Sequence, residues 1–450
     1  MTRVVALIDG EHYPPVVRSA LTSLGYEYEV AAAAFIGGSE KIDLSAGLEM
    51  YGVPVVVAPT AVEALADAID RYEPFAVIDL SDEPVVSSAE RLRLAGVALS
   101  RGVEYRGADF HFAPPRVRIT TRTPSLGLIG TGKRVGKTAV SAYVARRLKA
   151  GGRDIVVVAM GRGGPSEPEL IHGEQVELTT PDLLALAREG KHAASDNYED
   201  AIMSRVTTIG CRRCGGGMAG EAYFSNVPEG ARLADSLGKE IVVFEGSGAS
   251  IPPAHMDATI LVVGAGRGVG YVRDYFGPYR LGRADAVILS SAEEPMASAE
   301  RIAVLRSAIA ESHPDLPVIA TTFRPVPIEP VADRRVFFAT TAPHQTLPLL
   351  RQYLETEYGC EVVGASPHLS DRIQLREDMH AAAGTFDTLL TELKAAAIDV
   401  VAAAGEEVGV PTVLCDNVPV PVDGSDLGAM VDTIAAVAIE RGRVREGGTA

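Results

Sequence analysis

The chain has 450 residues, 47% hydrophobic and 22% charged, with a formal net charge of −17. That length allows about three domains with a sizeable core, and the acidic balance excludes nonspecific nucleic-acid binding, which needs a basic surface. No apolar run reaches the length of a membrane span, the apolar start is too short for a signal peptide and four cysteines make no disulfide framework, so a cytoplasmic protein with neither membrane nor nucleic-acid partner is expected.

Residues 4–8 read as a buried strand and 14–24 as a helix. Further strands at 53–57 and 75–80 are separated by helical patterns such as 61–71. Strands alternating with helices imply parallel pairing, and short uniformly apolar strands imply a sheet covered on both faces. The expected class is α/β, beginning with a Rossmann-like domain over residues 1–120. Asp9-Gly-Glu11-His12 follows the first strand, at a carboxyl edge where ligands bind. His12, whose ordinary pKa is close to physiological pH, could contact phosphate or shuttle a proton there, although a lone loop histidine is also commonly a plain surface residue. The proline-punctuated stretch 113–124 connects into the next domain.

The most informative stretch follows. Leu126-Gly-Leu-Ile-Gly130-Thr131-Gly132-Lys133-Arg134-Val135-Gly136-Lys137-Thr138 is an apolar run ending in a glycine-rich turn, after which Ala139 continues a helical pattern. Glycines let successive backbone N–H groups turn inward, and a helix N-terminus adds partial positive charge, so this order suits a polyphosphate. Lys137 would reach the β- and γ-phosphates and Thr138 would ligate Mg²⁺. The strict G-x-x-x-x-G-K-[ST] spacing is not met, because Thr131 stands where its first glycine belongs and Gly130 lies one residue earlier. Bound ATP with Mg²⁺ is expected, with Lys133 and Arg134 adding charge inside the loop.

A second domain over 125–342 would carry strands at 154–160, 240–245, 259–264, 284–290, 317–322 and 335–340. The pattern weakens over 343–450, read as a smaller α/β portion with a closing helix near 426–441 and a frayed polar tail. Glu245 ends an apolar strand before Gly-Ser-Gly, where a carboxylate commonly reaches Mg²⁺. Arginines recur beside glycines: Arg162 in Met-Gly-Arg-Gly-Gly, Arg205, Arg212 and Arg213 around a turn leading to Gly215 and Gly216, and Arg267 in Gly-Arg-Gly. Guanidinium groups beside backbone N–H nests suit a small, highly charged anion. Cys211-Arg-Arg-Cys214 reads first as a phosphate-holding turn, with metal binding or an inert turn as alternatives, since Cys360 and Cys415 form no second knuckle. Nicotinamide chemistry is unsupported, because the spacing of Gly264 to Gly270 is wrong for a dinucleotide fingerprint.

The phosphate loop with Glu245-Gly-x-Gly resembles the dethiobiotin synthetase branch of P-loop enzymes. A wider resemblance covers nearly the whole chain. Leu7-Ile-Asp-Gly-Glu-His-Tyr-Pro-Pro, the phosphate loop, Met160-Gly-Arg-Gly-Gly-Pro165, Gly210-Cys-Arg-Arg-Cys-Gly-Gly-Gly and Phe244-Glu-Gly-Ser-Gly together resemble the cyclic 2,3-diphosphoglycerate synthetase family. That resemblance implies ATP-driven closure of a phosphoanhydride between the two phosphates of 2,3-diphosphoglycerate, releasing ADP and phosphate. Under it Lys137, Lys133, Arg134 and His12 would serve catalysis. Arg162, Arg205, Arg212, Arg213, Gly215, Gly216, Arg267, Glu11 and His12 would hold the substrate, with the N-terminal domain closing over it.

Two rivals stand beside this reading. One is a phosphoglycerate kinase-type enzyme or carboxylate-activating ligase; the other is an ATP switch of the partitioning-ATPase kind. The switch would place a signature lysine at position 132, which is glycine here. P-loop relatives are often dimers, so a homodimer is expected.

Overall fold

The computed structural model describes residues 1–38, 48–175 and 178–447. The N-terminal unit carries β1 (Thr2–Ile8), β2 (Tyr28–Phe35), β3 (Val55–Val56), β4 (Ala76–Asp79), β5 (Glu104–Arg106) and β6 (His111–Phe112). Their order in the sheet is β3-β2-β1-β4-β5-β6, with only β6 antiparallel. Its helix Ala61–Tyr72 starts at a Thr60–Glu63 capping box, which satisfies two orphan N–H groups. The helix Ser88–Ser100 lies against the short helix Gly277–Leu281, and Phe112 meets Phe276 edge-on at 5.1 Å. This docks the unit on the rest of the chain.

The second sheet comprises β7 (Ser125–Gly130), β8 (Ile155–Gly161), β9 (Glu169–His172), β10 (Thr207–Cys214), β11 (Phe224–Ser225), β12 (Ile241–Glu245), β13 (Ala258–Gly264), β14 (Ala286–Ser290), β15 (Val318–Pro327), β16 (Arg335–Ala339), β17 (Glu361–Ser366), β18 (Thr388–Glu392) and β19 (Thr412–Pro421). Its path is β11-β10-β8-β12-β7-β13-β14-β15-β19-β18-β16-β17, with β9 also on β10. From β10 to β15 the strands are parallel, and from β19 to β17 they are parallel again. The two runs join through one antiparallel pair, β15 with β19. The stretch 335–340, expected among the phosphate-loop strands, pairs instead with β17 and β18.

Prolines explain how that junction works. Val422 N donates to the Ala320 carbonyl and Ile328 N to the Leu414 carbonyl. Thr321↔Pro421, Phe323↔Pro419, Pro325↔Asn417 and Pro327↔Cys415 therefore fall at the non-hydrogen-bonded positions of the ladder. A residue there points its backbone N–H outward, so proline loses nothing, and it blocks further strands from adding to an open edge. β14 pairs only with Val318–Ala320 of β15, and β18 only with Thr412–Cys415 of β19, so a two-stranded ribbon spans the gap between the two runs. Because the runs point in opposite directions, the carboxyl ends of β16 and β18 turn back toward those of the phosphate-loop strands.

The closing helix reaches Gly447, beyond its expected end, because Arg441 bonds Asp285 at 2.7 Å and Arg445 bonds Asp257 at 3.0 and 3.1 Å. Residues 448–450 of the expected frayed tail lie outside the described residues. The apolar face of this helix, including Val431, Ala435 and Ala438, covers β7, β13 and the helix Lys137–Ala150. Among the described residues no helix is long and apolar enough to cross a membrane.

Candidate active site

β7 ends at Gly130, and the helix Lys137–Ala150 begins directly after Gly136, which has φ +79°. A Cβ at Gly136 would stand 2.1 Å from the Phe323 ring, so glycine is needed for both conformation and space. The loop is clamped from outside. Thr131 N donates to the Val262 carbonyl, Ser290 Oγ to the Val135 carbonyl at 2.8 Å, and the Arg267 guanidinium to the Lys133 carbonyl. Lys137 is buried, and its Nζ donates to the Gly132 carbonyl at 3.0 Å. Burial lowers its pKa to about 8; Glu245 and Asp196 oppose that shift while Arg162 and Arg213 reinforce it. Burial and the neighbouring Arg162 and Arg134 also lower Lys133. A cationic cavity of this kind stabilises incoming negative charge.

Carboxylates face it from behind. Glu245, at the end of β12, is buried, raised to about 7 by burial and by Asp196, and takes a hydrogen bond from Thr138. The helix Asp196–Ser204 brings three more acids, because Asp196, Glu199 and Asp200 at i, i+3 and i+4 share one helical face. Burial pushes Glu199 up to about 8 and Asp200 well above the carboxylate range. Apart from a hydrogen bond between Glu245 and Asp200, Glu245 Oε2, Glu199 Oε2 and both Asp200 oxygens are buried without a partner among the described residues. No three His, Cys, Asp or Glu side chains among those residues form a ready metal cage. The set fits a hard cation that keeps several waters and shares its ligands with substrate phosphates, as Mg²⁺ does.

Lys133, Lys137, Thr138 and Asp196 line a cleft of about 690 Å³, with Glu199, Asp200 and Glu245 outside its lining. One wall is the phosphate loop with Lys133, Arg134, Lys137, Thr138, Ala139 and Arg162. The opposite wall comes from the carboxyl ends of β16, β17 and β18, and includes Thr341, His368, Glu392 and Lys394. Lys394 reaches across to Glu199 at 3.0 Å, and Glu392 takes hydrogen bonds from Thr340 and Thr341. Phe323, Met296, Leu349 and Leu350 add an apolar corner.

Of the residues singled out in the sequence, Arg162 and Arg213 converge. A Cβ at Gly248 would lie 2.8 Å from one guanidinium and 3.1 Å from the other. Arg213 is buried and anchored to the Ser247 carbonyl at 2.9 Å and the Gly215 carbonyl at 3.1 Å. The others are placed differently. Arg205 is exposed and caps a helix before the amino end of β10, at the sheet edge away from the cleft. Arg212 spends its Nε on the Gly164 and Pro165 carbonyls, so its role is to hold that loop. Arg267 clamps the phosphate loop and lies over Tyr271, and Gly215 and Gly216 flank Arg213; none of the three lines the cleft. Glu11 and His12 do not line it either, since β1 belongs to the separate N-terminal sheet, where His12 Nδ1 sits 2.9 Å from buried Asp9. The C-terminal half supplies the second wall that the N-terminal domain was expected to supply.

The expected turn at 211–214 is the end of strand β10. Positions three apart on a strand point to opposite faces, so Cys211 is buried, its thiol pushed up to about 12 by burial, while Cys214 is exposed. The pair cannot share a metal. Residues the sequence reading passed over are Asp196, Glu199, Asp200, Phe323, His368 and Lys394. Only the acids carried a local signal, through their helical spacing.

A parallel sheet with a glycine turn running into a buried lysine at a helix start, and an acid on the adjacent strand, defines a P-loop nucleotide-binding enzyme. Family models match in three parts: the cyclic 2,3-diphosphoglycerate synthetase N-terminal domain over residues 3–113, its P-loop domain over 125–322 and its C-terminal domain over 327–418. The chain is 49% identical to the cyclic 2,3-diphosphoglycerate synthetase of Rubrobacter xylanophilus, covering 99% of each. It is 45% identical to that of Methanothermus fervidus, over 97% of this chain and 96% of the other. The chain belongs to the cyclic 2,3-diphosphoglycerate synthetase family. Among solved structures, LpxK from Aquifex aeolicus in complex with ATP aligns over 71% of this chain and 91% of its own at 12% identity; with a TM-score of 0.39 it carries no argument.

Proposed function

We propose that the protein uses ATP to convert 2,3-diphosphoglycerate to cyclic 2,3-diphosphoglycerate, releasing ADP and phosphate. The observation that carries this is the cleft itself. A phosphate loop, Lys133, Arg134, Arg162 and the deeper Arg213 surround one space, which suits two polyanions bound together. An oxygen of one substrate phosphate attacks the γ-phosphorus of ATP, and the bond from that phosphorus to the β-phosphate oxygen breaks, releasing ADP. An oxygen of the second substrate phosphate then attacks the first substrate phosphorus. The bond to the transferred phosphoryl group breaks, phosphate leaves and the ring closes. Phosphate oxygens are already ionised, so no strong general base is needed, and positioning with electrostatic stabilisation carries the rate.

Lys137 would leave its contact with the Gly132 carbonyl to meet the β- and γ-phosphates, regaining full charge as it does. Arg162 and Arg213 would hold the substrate phosphates. Thr138, Glu245 and Asp200 would hold Mg²⁺, which when bound neutralises charge on the phosphates. A cytoplasmic homodimer completes the reading, supported by the likeness to P-loop enzymes; sedimentation velocity tests the dimer.

Phosphorus NMR of the protein with Mg-ATP and 2,3-diphosphoglycerate is expected to show paired phosphoanhydride resonances together with ADP and phosphate. Lys137→Ala is expected to abolish them. Unchanged substrate in the wild-type reaction, or full ATP turnover by Lys137→Ala, would overturn the proposal.

A further inference from the structure

The C-terminal wall of the cleft contains a built side-chain arrangement that the phosphate-loop chemistry leaves unused. β17 ends at Ser366, and His368 follows on the loop that lines the cleft. Asp378, on the helix Arg372–Ala381, accepts from Ser366 Oγ at 2.6 Å and from Gln374 Nε2 at 3.2 Å, and lies 2.8 Å from His368 Nδ1. His368 N also donates to Ser366 Oγ at 3.2 Å, fixing the backbone from which the ring projects. Asp378 is thus occupied in aiming one imidazole. With Nδ1–H given to a carboxylate, Nε2 is the nitrogen left for a ligand, an acceptor in the neutral ring and a donor in the imidazolium.

The neighbouring groups on the same wall sharpen the assignment. Glu392 is engaged by Thr340 and Thr341, and Lys394 by Glu199, so the acids and the lysine of this wall already have partners. His368 presents a half-exposed, oriented ring to a space whose other side is lined by cations.

We infer that His368, oriented by Asp378, is a substrate-contacting residue: as an imidazolium with Nδ1–H on Asp378, it donates Nε2–H to an oxyanion of the phosphoglycerate on the side away from the phosphate loop. This rests on the synthetase reading only for the identity of the ligand. The role given to His368 is recognition of substrate, and Asp378 is its positioning residue.

The test separates the two ring nitrogens. In His368→Asn the amide can keep the Nδ1 contact with Asp378 but nothing reaches the Nε2 position; in His368→Gln the amide nitrogen approaches the Nε2 position. Binding of 2,3-diphosphoglycerate to the full chain with ADP present, followed by calorimetry, should weaken about 10- to 150-fold in His368→Asn, the size of one hydrogen bond to a charged group. His368→Gln should recover part of that loss, and Asp378→Asn should show a smaller one. ADP affinity should be unchanged in all three. Wild-type affinity in His368→Asn, or an equal loss of ADP affinity, overturns the inference. If the wild-type protein binds diphosphoglycerate without cyclising it, the proposed reaction fails while a selective loss in His368→Asn still upholds this contact; no binding by the wild type overturns both.

Discussion

Gly136→Ala tests the link between backbone geometry and nucleotide binding. The residue has φ +79°, and a Cβ there would meet Phe323 Cζ at 2.1 Å. The left-handed conformation costs an L-residue roughly 1–2 kcal/mol, and forcing a methyl against a packed ring costs about 1–3 kcal/mol. An empty loop can relax, so the strain falls on the state that binds phosphate. Together the two terms, about 2–5 kcal/mol, predict ATP affinity weakened about 30- to 4,000-fold. Phe323→Ala in the same background removes the steric part and leaves the dihedral part. Calorimetric ATP titrations of the wild type, both single variants and the double variant should give a coupling of about 1–3 kcal/mol, with partial recovery in the double variant. Effects that add to within about 0.5 kcal/mol would show that Phe323 does not set the space at Gly136. ATP affinity in Gly136→Ala within threefold of wild type would refute the whole argument.

Two further outcomes follow from placement and charge. Arg213→Ala should lower kcat/KM for the diphosphoglycerate by about two orders of magnitude, the cost of losing a buried charge-assisted contact, while Arg205→Ala, on the far edge of the sheet, should stay within twofold; steady-state kinetics on both decides the assignment. Hydrogen bonds from His255, Arg445 and Ser125 outweigh burial and hold Asp257 far below the usual carboxylate range, so its contribution is full above the unfolded carboxylate pKa of about 4 and is lost as pH falls through the native value. Arg445→Met should destabilise the C-terminal helix by ~1.5–3 kcal/mol at neutral pH and flatten that acid loss, read by amide hydrogen exchange of residues 427–447 at about pH 7 and about pH 2.

What the sequence discloses about the site is what short-range geometry can encode. The phosphate loop is legible because strand, turn and helix are contiguous, and Glu245 is legible because an acid ending an apolar strand must reach the carboxyl edge; in the structure it pairs with Leu128 and Ala159 beside the loop. The second wall is illegible for the opposite reason. His368 and Lys394 lie more than 200 positions from Lys137, and they reach the cleft only through the register of β15 on β19. That ribbon is disguised by its prolines. Pro325, Pro327, Pro419 and Pro421 argue against strands in a central sheet, yet each sits where its missing N–H would have pointed away from the partner strand. Arginine next to glycine is a weak signal because composition does not say which end of a strand a residue occupies. Arg205 precedes the amino end of strand β10 and Arg213 lies near its carboxyl end, where it meets Arg162 of the cleft.

The same topology leaves the N-terminal unit outside the lining of the cleft. Its sheet shares no strand with the larger one, and its loop at Asp9 and His12 is tied to itself, with Asp9 accepting from Glu11 N, His12 N and Asp82 N. Part of its contact with the active half runs through the stretch after β13, beside the ion pairs of Arg116 and Arg118 with Glu221. At one end of that stretch Arg267 grips the Lys133 carbonyl; at the other, Phe276 packs on Phe112 and the helix Gly277–Leu281 packs on Ser88–Ser100. The unit therefore braces the clamp on the phosphate loop from outside, while the ribbon brings a second carboxyl edge to the loop's open side. Two anionic substrates can then be held between walls that belong to one continuous sheet, and the positions of their phosphates are set by backbone register rather than by flexible side chains alone.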